Sequence, residues 1–211
     1  MPITLQGRFP GDNRTLYQNM KQLIFATHNA HKADEVKAIV GNLFEVKNLS
    51  DINFFDEIPE TGNTFKENAF QKVKYLHDKL NCNCFADDSG LSVDALNGEP
   101  GIFSARYAGE PSNSQRNTEK LLDALKNISN RKAQFTCVIA VILDGQPHFF
   151  EGVIHGTITE TPYGEGGFGY DPVFIPDGYD KTFAELPADI KNKISHRAIA
   201  LEKFKQFLNS K

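Results

Sequence analysis

The chain has 211 residues, of which 40% are hydrophobic and 24% are charged, as expected for a globular domain with a sizeable core. The formal net charge of −4 provides no general basic field for nucleic acid, so a polyphosphate ligand would need cations clustered locally. No apolar run approaches the roughly 20 residues of a membrane span, and three cysteines without a CxxC pair provide neither a disulfide framework nor a zinc site, which favours reduced thiols in a cytoplasmic protein.

The first 19 residues are polar, contain Pro and Gly, and show neither hydrophobic periodicity nor a secretory signal. We expect residues 1–19 to be an N-terminal extension outside the core, with Met20 as an alternative first residue. The pattern that follows alternates between strand and helix. Residues 22–26 form a short apolar run suited to a buried strand, residues 30–40 have helical periodicity, and residues 44–49 predict a second strand.

A capping box of Thr64 and Glu67 predicts the start of a helix that continues to about residue 80. The apolar stripe of this helix comprises Phe65, Ala69, Val73, Leu76 and Leu80. After the helix, residues 84–86 predict a short strand that opens onto the tetrapeptide Asp-Asp-Ser-Gly at residues 87–90.

The second half of the chain begins with a predicted amphipathic helix over residues 113–128. Its inward positions are Leu121, Leu122, Leu125 and Ile128. Two longer strand-like runs, residues 133–143 and 148–159, are joined by an Asp-Gly turn at 144–145. Residues 187–208 predict mostly helix, with Ser195 as a cap inside it. Helix–strand alternation followed by a long hairpin favours an α/β fold around a mixed sheet.

Four clusters of polar residues could carry chemistry, and the first is the segment Thr-His-Asn-Ala-His-Lys at residues 27–32, a predicted strand-to-helix junction. A helix N-terminus offers free N–H groups and a partial positive charge, which suit phosphate. Asn29 can add a hydrogen bond and Lys32 a point charge, although the pattern is not a Walker A loop. Taken alone, the segment is explained more simply by an Asn cap followed by a solvated lysine.

The second and third clusters are acidic. Two adjacent carboxylates, Asp87 and Asp88, are costly to hold together without a cation, and Mg²⁺ prefers a few carboxylates, several waters and phosphate oxygens. Asp88 could therefore bind metal, orient water, or both, whereas the alternative is an Asp-rich turn in which Gly90 supplies a positive φ. Glu60 lies just before the capped helix, and Lys72 inside that helix is also explained by a solvated face.

The fourth cluster lies in the C-terminal part and comprises residues 166–172 (GGFGYDP), Lys191 and residues 195–197 (SHR). Glycines on both sides of Phe168 allow close backbone approach and leave the ring available for stacking. Arg197 is an obligate hydrogen-bond donor, suited to a carbonyl oxygen. The alternatives are a loop packing residue and a surface His-Arg pair.

The chain resembles the inosine/xanthosine triphosphate pyrophosphatase family in the order of five segments, THNAHK, PETGNTFKENA, FADDSGLSVDALNGEPGIFSARYAG, GGFGYDPVF and KNKISHRAIAL. The resemblance implies that residues 20–211 form a single two-lobed domain, with a long twisted mixed sheet, flanking helices and a deep central cleft. It also implies a homodimer that depends on Mg²⁺. In some relatives two acidic residues precede the Thr-Gly pair, whereas here Pro59 stands before Glu60.

The same resemblance implies a role for each site residue. Asp88 falls on the general base and a metal ligand, and Glu60 on the second metal ligand. The implied substrate contacts are Thr27, His28, Asn29, Ala30, His31, Lys32, Lys72, Ser89, Phe168, Gly169, Tyr170, Asp171, Lys191, His196 and Arg197.

The implied reaction is hydrolysis of aberrant purine triphosphates such as ITP, dITP and XTP to the monophosphate and pyrophosphate. Mg²⁺ would bridge phosphate oxygens and the carboxylates, Asp88 would deprotonate or orient the attacking water, and lysines 32, 72 and 191 would stabilise the departing pyrophosphate. A donor-only Arg197 suits the 6-keto oxygen of hypoxanthine and leaves the 6-amino group of adenine unpaired. Two alternatives stay open, a pyrophosphatase for methylated or pyrimidine nucleotides and a nucleotide-binding regulator without turnover.

Overall fold

The computed structural model describes residues 22–40 and 43–210, so the expected extension at residues 1–19 lies outside the described part of the chain. Six strands and five α-helices occur in the described residues. In chain order they are β1 (Gln22–Phe25), α1 (Ala30–Val40), β2 (Glu45–Asn48), α2 (Phe65–Leu80), β3 (Cys84–Val93), α3 (Ser114–Ala124), β4 (Lys132–Leu143), β5 (Gln146–Ile158), β6 (Phe174–Pro176), α4 (Ala188–Ile194) and α5 (His196–Asn209).

All six strands form one sheet in the order β2-β1-β3-β4-β5-β6. β1 runs parallel to β2 and β3, and the remaining neighbours are antiparallel. The prediction of an α/β fold around a mixed sheet is therefore confirmed. The hairpin of β4 and β5 turns through Asp144 and Gly145, which both have positive φ (50° and 74°), as a two-residue hairpin turn requires.

The central strand β3 differs from the sequence prediction, which ended it at residue 86. Strand structure continues through the tetrapeptide to Val93, and every residue from Cys84 onwards pairs with β4. Gly90 is therefore no turn glycine. A Cβ on Gly90 would lie 2.4 Å from the carbonyl oxygen of Gly101, so glycine is needed there for close packing.

The prediction that the carboxylates of Asp87 and Asp88 lie side by side is wrong. Successive strand residues point to opposite faces of a sheet, so the two carboxylates point away from each other. In the described part of the chain, β1 pairs with β3 only at Cys84 and Phe85. Beyond that point no described strand pairs with this edge of β3, which makes one isolated bridge, between Ser92 and Pro100. This edge borders the cleft described below.

The helix predictions hold with small changes. Thr64 Oγ1 accepts a hydrogen bond from Glu67 N (3.1 Å) and so caps α2, while the Glu67 carboxylate accepts from Asn63 N (2.6 Å) instead of Thr64 N. Leu80 is exposed, so its place in the apolar stripe was wrong. Ser195 caps α5 by accepting from Ala198 N (3.2 Å), as predicted.

Three hydrophobic clusters hold the sheet and helices together. The first joins α1 and α5 to one face of the sheet and includes Phe25, Phe85, Leu201 and Phe204. The second, around α2 on the opposite face, includes Ala69, Leu76, Ala86 and Ala140. The third joins α3 and β6 to the far part of the β4–β5 hairpin and includes Leu91, Leu121, Phe135 and Phe174. None of the described helices combines the length and the hydropathy that a membrane-spanning helix needs.

Candidate active site

A cleft of about 360 Å³ lies beside the free edge of β3, which is a volume suited to a small-molecule ligand. Its walls come from the cluster around α2 and from the cluster around α3. The predicted site residues in its lining are Thr27, His28, Asn29, Lys32, Glu60, Lys72, Asp88, Ser89, Phe168, Gly169, Tyr170, Asp171, Lys191, His196 and Arg197. Ala30 and His31 are exposed and lie outside this lining.

The two acidic residues expected to hold a metal meet at one lysine. Lys72 Nζ, from α2, donates a hydrogen bond to Glu60 Oε1 (2.6 Å) and lies 3.8 Å from Asp88 Oδ1. Burial works to lower the pKa of Lys72, but Asp88 and Glu60 outweigh it and raise the pKa. For Asp88 the effect of burial is the opposite: burial raises the pKa of its carboxyl group, and Lys72 opposes this effect. Carboxylates from a loop and a strand thus converge on a single buried ammonium group.

Glu60 and Asp88 together suit a divalent cation that needs no more than two carboxylates from the protein. Among residues 22–40 and 43–210, no group of three or more His, Cys, Asp or Glu residues could hold a metal ion. Mg²⁺ in phosphate-processing sites needs only one or two carboxylates, with the remaining ligands supplied by water and substrate phosphates. The raised pKa of Asp88 reflects the cost of a buried carboxylate, which a cation would offset.

The first aspartate of the pair, Asp87, is buried on the opposite face of the sheet. Asp87 Oδ1 accepts from Lys32 Nζ (3.1 Å), and Oδ2 accepts from Arg197 Nη2 (3.0 Å) and Nε (3.3 Å). Burial alone would raise the pKa of Asp87, but Lys32 and Arg197 lower it well below its usual range. Asp87 therefore joins the helix-start segment to α5, a role that the sequence did not suggest.

Arg197 is almost fully committed to partners within the protein. Besides its two bonds to Asp87, it donates to Ser89 Oγ (3.0 Å) and to Glu35 Oε2. These four hydrogen bonds leave one of its five N–H groups for a ligand. Arg197 is 1% exposed, and the pairing with Asp87 and Glu35 raises its pKa despite its burial. The expected surface alternative for the His-Arg pair is therefore wrong.

The glycine-flanked Phe168 lies beside Lys191. Lys191 Nζ is 4.9 Å from the ring centroid of Phe168 and donates to Glu35 Oε1 (2.5 Å) and Asp171 Oδ2 (2.6 Å). Asp171 Oδ2 also accepts from Phe168 N (2.7 Å), which fixes the loop. His31 stacks on Phe168 with 5.6 Å between ring centroids, so this residue contacts the site through Phe168.

The neighbouring His196 is buried beside Arg197. Its ring stacks on Phe135 at a centroid distance of 4.8 Å, and its Nδ1 has no hydrogen-bond partner in the described part of the protein. Burial, together with Arg197 and Lys191, places the pKa of His196 well below its usual value. A neutral imidazole with a free nitrogen can donate to or accept from a ligand.

Sequence reasoning missed several residues at this site. Glu35 lies one helical turn after Lys32, and Asn68 lies one turn before Lys72, so helical spacing from the basic residues was an available signal. Arg106 lines the cleft and contacts the ring of Phe103 at 5.6 Å, and no described carboxylate forms an ion pair with it. No local pattern distinguished Arg106 within its long segment.

Comparisons with known proteins point to one family. The sequence profile of the Ham1 family matches residues 23–207. The dITP/XTP pyrophosphatases of Flavobacterium johnsoniae and Bacillus subtilis are 49% and 50% identical to the chain over 189 and 195 residues, which cover 90% of this chain and 98% of each relative. The solved structure of the Staphylococcus aureus Ham1 protein superposes with a TM-score of 0.81 at 45% identity, over 90% of this chain and 99% of that one. A HAM1 protein from Coxiella burnetii gives a TM-score of 0.83 at 37% identity, over 91% of this chain and 100% of that one.

Proposed function

The chain belongs to the Ham1 family, and from this membership we propose that it hydrolyses aberrant purine nucleoside triphosphates, such as dITP, ITP and XTP, to the nucleoside monophosphate and pyrophosphate. It is an enzyme that acts on acid anhydrides. By removing these triphosphates it would clear aberrant purines from the nucleotide pool. Support comes from relatives that bear the name dITP/XTP pyrophosphatase at 46–50% identity over about nine-tenths of the chain.

One observation carries the proposal. Glu60 and Asp88, which come from a loop and a strand, meet at Lys72 inside a cleft that also contains Lys32. A triphosphate needs several positive groups to offset its charge and a base to activate water. This arrangement offers both within one cavity.

The chemistry at the phosphate end follows from these groups. Mg²⁺, held by Glu60 and Asp88, would neutralise the triphosphate and polarise the phosphorus under attack. Asp88 orients the attacking water and accepts its proton, a task for which an ionised carboxylate is suited. Lys72 and Lys32 stabilise the charge that develops on the departing pyrophosphate. Lys191 lies beside Phe168, which favours a role at the base end over the expected role at the pyrophosphate.

The base end selects purines with a 6-keto group. Phe168 offers a ring for stacking, and the free N–H of Arg197 donates to a keto oxygen. Adenine places an amino donor at this position, so one buried donor would be left unpaired. Such a mismatch costs on the order of 1–3 kcal/mol, which corresponds to about 5- to 150-fold discrimination.

A direct assay tests the proposal. ITP, dITP, XTP, dGTP and dATP are incubated with the protein with and without Mg²⁺, and pyrophosphate is measured separately from phosphate. We expect Mg²⁺-dependent pyrophosphate release from the first three nucleotides and little from dATP. Guanine shares the 6-keto oxygen, so the low release that we expect from dGTP requires a pocket with no acceptor for its 2-amino group. Stepwise phosphate release, or preference for methylated or pyrimidine triphosphates in a wider panel, would contradict the substrate assignment. Binding without turnover would indicate a regulator instead.

The proposal includes a homodimer in the cytoplasm. The homodimer rests on the family resemblance. The cytoplasmic location rests on the three cysteines at positions 82, 84 and 137, which are free thiols and therefore suit a reducing compartment. Sedimentation of the purified protein tests the dimer. A monomer at working concentration would contradict it.

A further inference from the structure

Asn68 links the two acidic segments of the site. It lies in the first turns of α2 and is 1% exposed. Its amide Nδ2 donates to Asp88 Oδ2 (3.0 Å), and its Oδ1 accepts from the backbone N–H of Gly62 (2.8 Å). Gly62 is two residues from Glu60. One buried side chain therefore holds the strand that carries Asp88 and the loop that carries Glu60.

The loop that carries Glu60, Thr61 and Gly62 is too close to α2 for any side chain at Gly62. A Cβ built there would lie 2.6 Å from Glu67 Cβ and 2.9 Å from Asn68 Oδ1, which are distances that real Cβ atoms do not adopt. The loop has a second anchor, since Thr61 N donates to Gln71 Oε1 (2.9 Å). The loop therefore cannot move away from α2 without breaking the contact to Asn68.

The amide also orients the Asp88 carboxylate. Because Asn68 donates to Oδ2, that oxygen acts as an acceptor, and Oδ1 is left with Ser89 N (3.0 Å) and Lys72 Nζ (3.8 Å). Oδ1 is thus the oxygen turned towards Lys72, the residue that also binds Glu60. An asparagine provides a donor and an acceptor in one plane, which neither an ionised carboxylate nor an apolar side chain can do.

We propose that Asn68 is a positioning residue that fixes the separation and orientation of Glu60 and Asp88, so that both carboxylates serve one divalent cation and one water. This inference rests on the proposed function. When a residue that orients the ligands of a metal site is removed, metal affinity or activity typically falls by about 10- to 100-fold. Asn68 acts through Asp88 and Glu60 and does not itself contact the substrate.

The experiment compares three substitutions that leave the net charge of the protein unchanged. Asn68→Ala removes both hydrogen bonds. Gly62→Ala keeps the Asn68 side chain but forces the loop away from it, because the added Cβ would lie 2.9 Å from Asn68 Oδ1. The control is Asn83→Ala, which removes a single exposed bond from an asparagine to a turn away from the cleft. Asn83 lies just before β3, and its Oδ1 accepts from Asp144 N (3.0 Å). For each protein we would measure kcat and KM for ITP at a temperature well below the lowest Tm of the set. In a separate experiment we would measure the MgCl₂ midpoint, which is the MgCl₂ concentration that gives half of the maximal Mg²⁺-induced rise in Tm.

We expect kcat to fall about 10- to 100-fold in Asn68→Ala and Gly62→Ala while KM changes little, because misplaced catalytic groups affect the chemical step. The MgCl₂ midpoint should rise about 10-fold in both variants, and Asn83→Ala should match the wild type. Equal kcat losses in all three variants, or unchanged kcat and midpoints in the two test variants, would overturn the proposal.

Other outcomes also decide the question. If Asn68→Ala does not fold, Gly62→Ala alone provides the test. If the wild type releases no pyrophosphate from ITP, the proposed function fails, while the MgCl₂ midpoints still decide whether Asn68 positions the two carboxylates. If MgCl₂ does not change the Tm of the wild type, Glu60 and Asp88 do not share a cation, and the inference itself is overturned.

Discussion

Substitution of Asp87 by asparagine should cost much of the stability of the protein. Asp87 is buried and accepts hydrogen bonds from two cations, Lys32 at 3.1 Å and Arg197 at 3.0 Å. Asn keeps the shape of the side chain but removes the charge. Arg197, which is 1% exposed, would then remain buried with only Glu35 as its counter-ion.

The magnitude follows from these pairings. Removal of one partner from a buried ion pair costs about 3–5 kcal/mol, because the other charge stays buried without compensation. Since Glu35 continues to accept from Arg197, we expect a loss near the lower end, about 3 kcal/mol. This is a large share of the 5–15 kcal/mol that is typical of a folded domain.

Urea unfolding at pH 7, followed by circular dichroism, measures this loss. The matched control is Asp78→Asn, which breaks the exposed Lys74–Asp78 pair (2.7 Å) and should cost about 0.3–0.5 kcal/mol. Because the pKa of Asp87 is lowered in the folded state, its stabilisation is present above the ordinary carboxyl pKa of about 3.9 and is lost as the pH falls below it. The difference between wild type and Asp87→Asn should therefore shrink in acid. A loss no larger than that of Asp78→Asn would refute the reasoning.

Three further predictions concern the cleft. Asp88→Asn should reduce kcat for ITP at least about 100-fold with little change in the far-UV spectrum, because the general base is removed, and near-normal turnover would exclude that role. Arg106 lines the cleft without an ion-pair partner among the described residues, so we expect it to donate to the anionic substrate. Arg106→Gln should therefore raise KM for ITP about 10-fold, as expected for loss of one charge-assisted hydrogen bond, and an unchanged KM would place Arg106 outside the substrate site. The lowered pKa of His196 means that the unfolded chain binds a proton first as the pH falls below about 6.5, so unfolding should become easier by at most about 1.4 kcal/mol per pH unit. His196→Gln should show a flatter stability curve between pH 7 and 5, and parallel curves would contradict a neutral buried imidazole.

Hydrophobic patterning predicted most of the elements. The buried residues of α1 and α2 repeat at helical spacing, and β4 is an almost continuous buried run, as a strand covered on both faces requires. β3 was cut short because Asp, Ser and Gly are poor strand formers. Ten residues of pairing with β4 override that local preference, and Lys32, Lys72 and Arg197 compensate the two carboxylates. Leu80 followed the helical spacing but lies at the exposed end of α2.

For the site, sequence motifs predicted which residues come together but not how they are paired. Arg197 was expected to offer its donors to a base, yet most of them bind Asp87 and Glu35, which are 110 and 162 positions away in the chain. No local pattern carries information about partners at that separation. Asn68 was missed for a similar reason, because its neighbours explained the segment as a capped helix, and its contact to Asp88 is visible only in the fold.

The early end of β1 has a consequence for how this binding site could change. After Phe25 the chain turns away, with Thr27 N donating to Phe25 O (2.7 Å) and Asn29 N to Thr27 Oγ1 (3.1 Å), and it enters α1 without following β3 further. The groove thus exists because two neighbouring strands have unequal lengths. Two extra residues of extended chain after Phe25 would continue the ladder and close the opening, whereas a shorter first strand would widen it. Changes in groove size could therefore arise by insertion or deletion at this single junction.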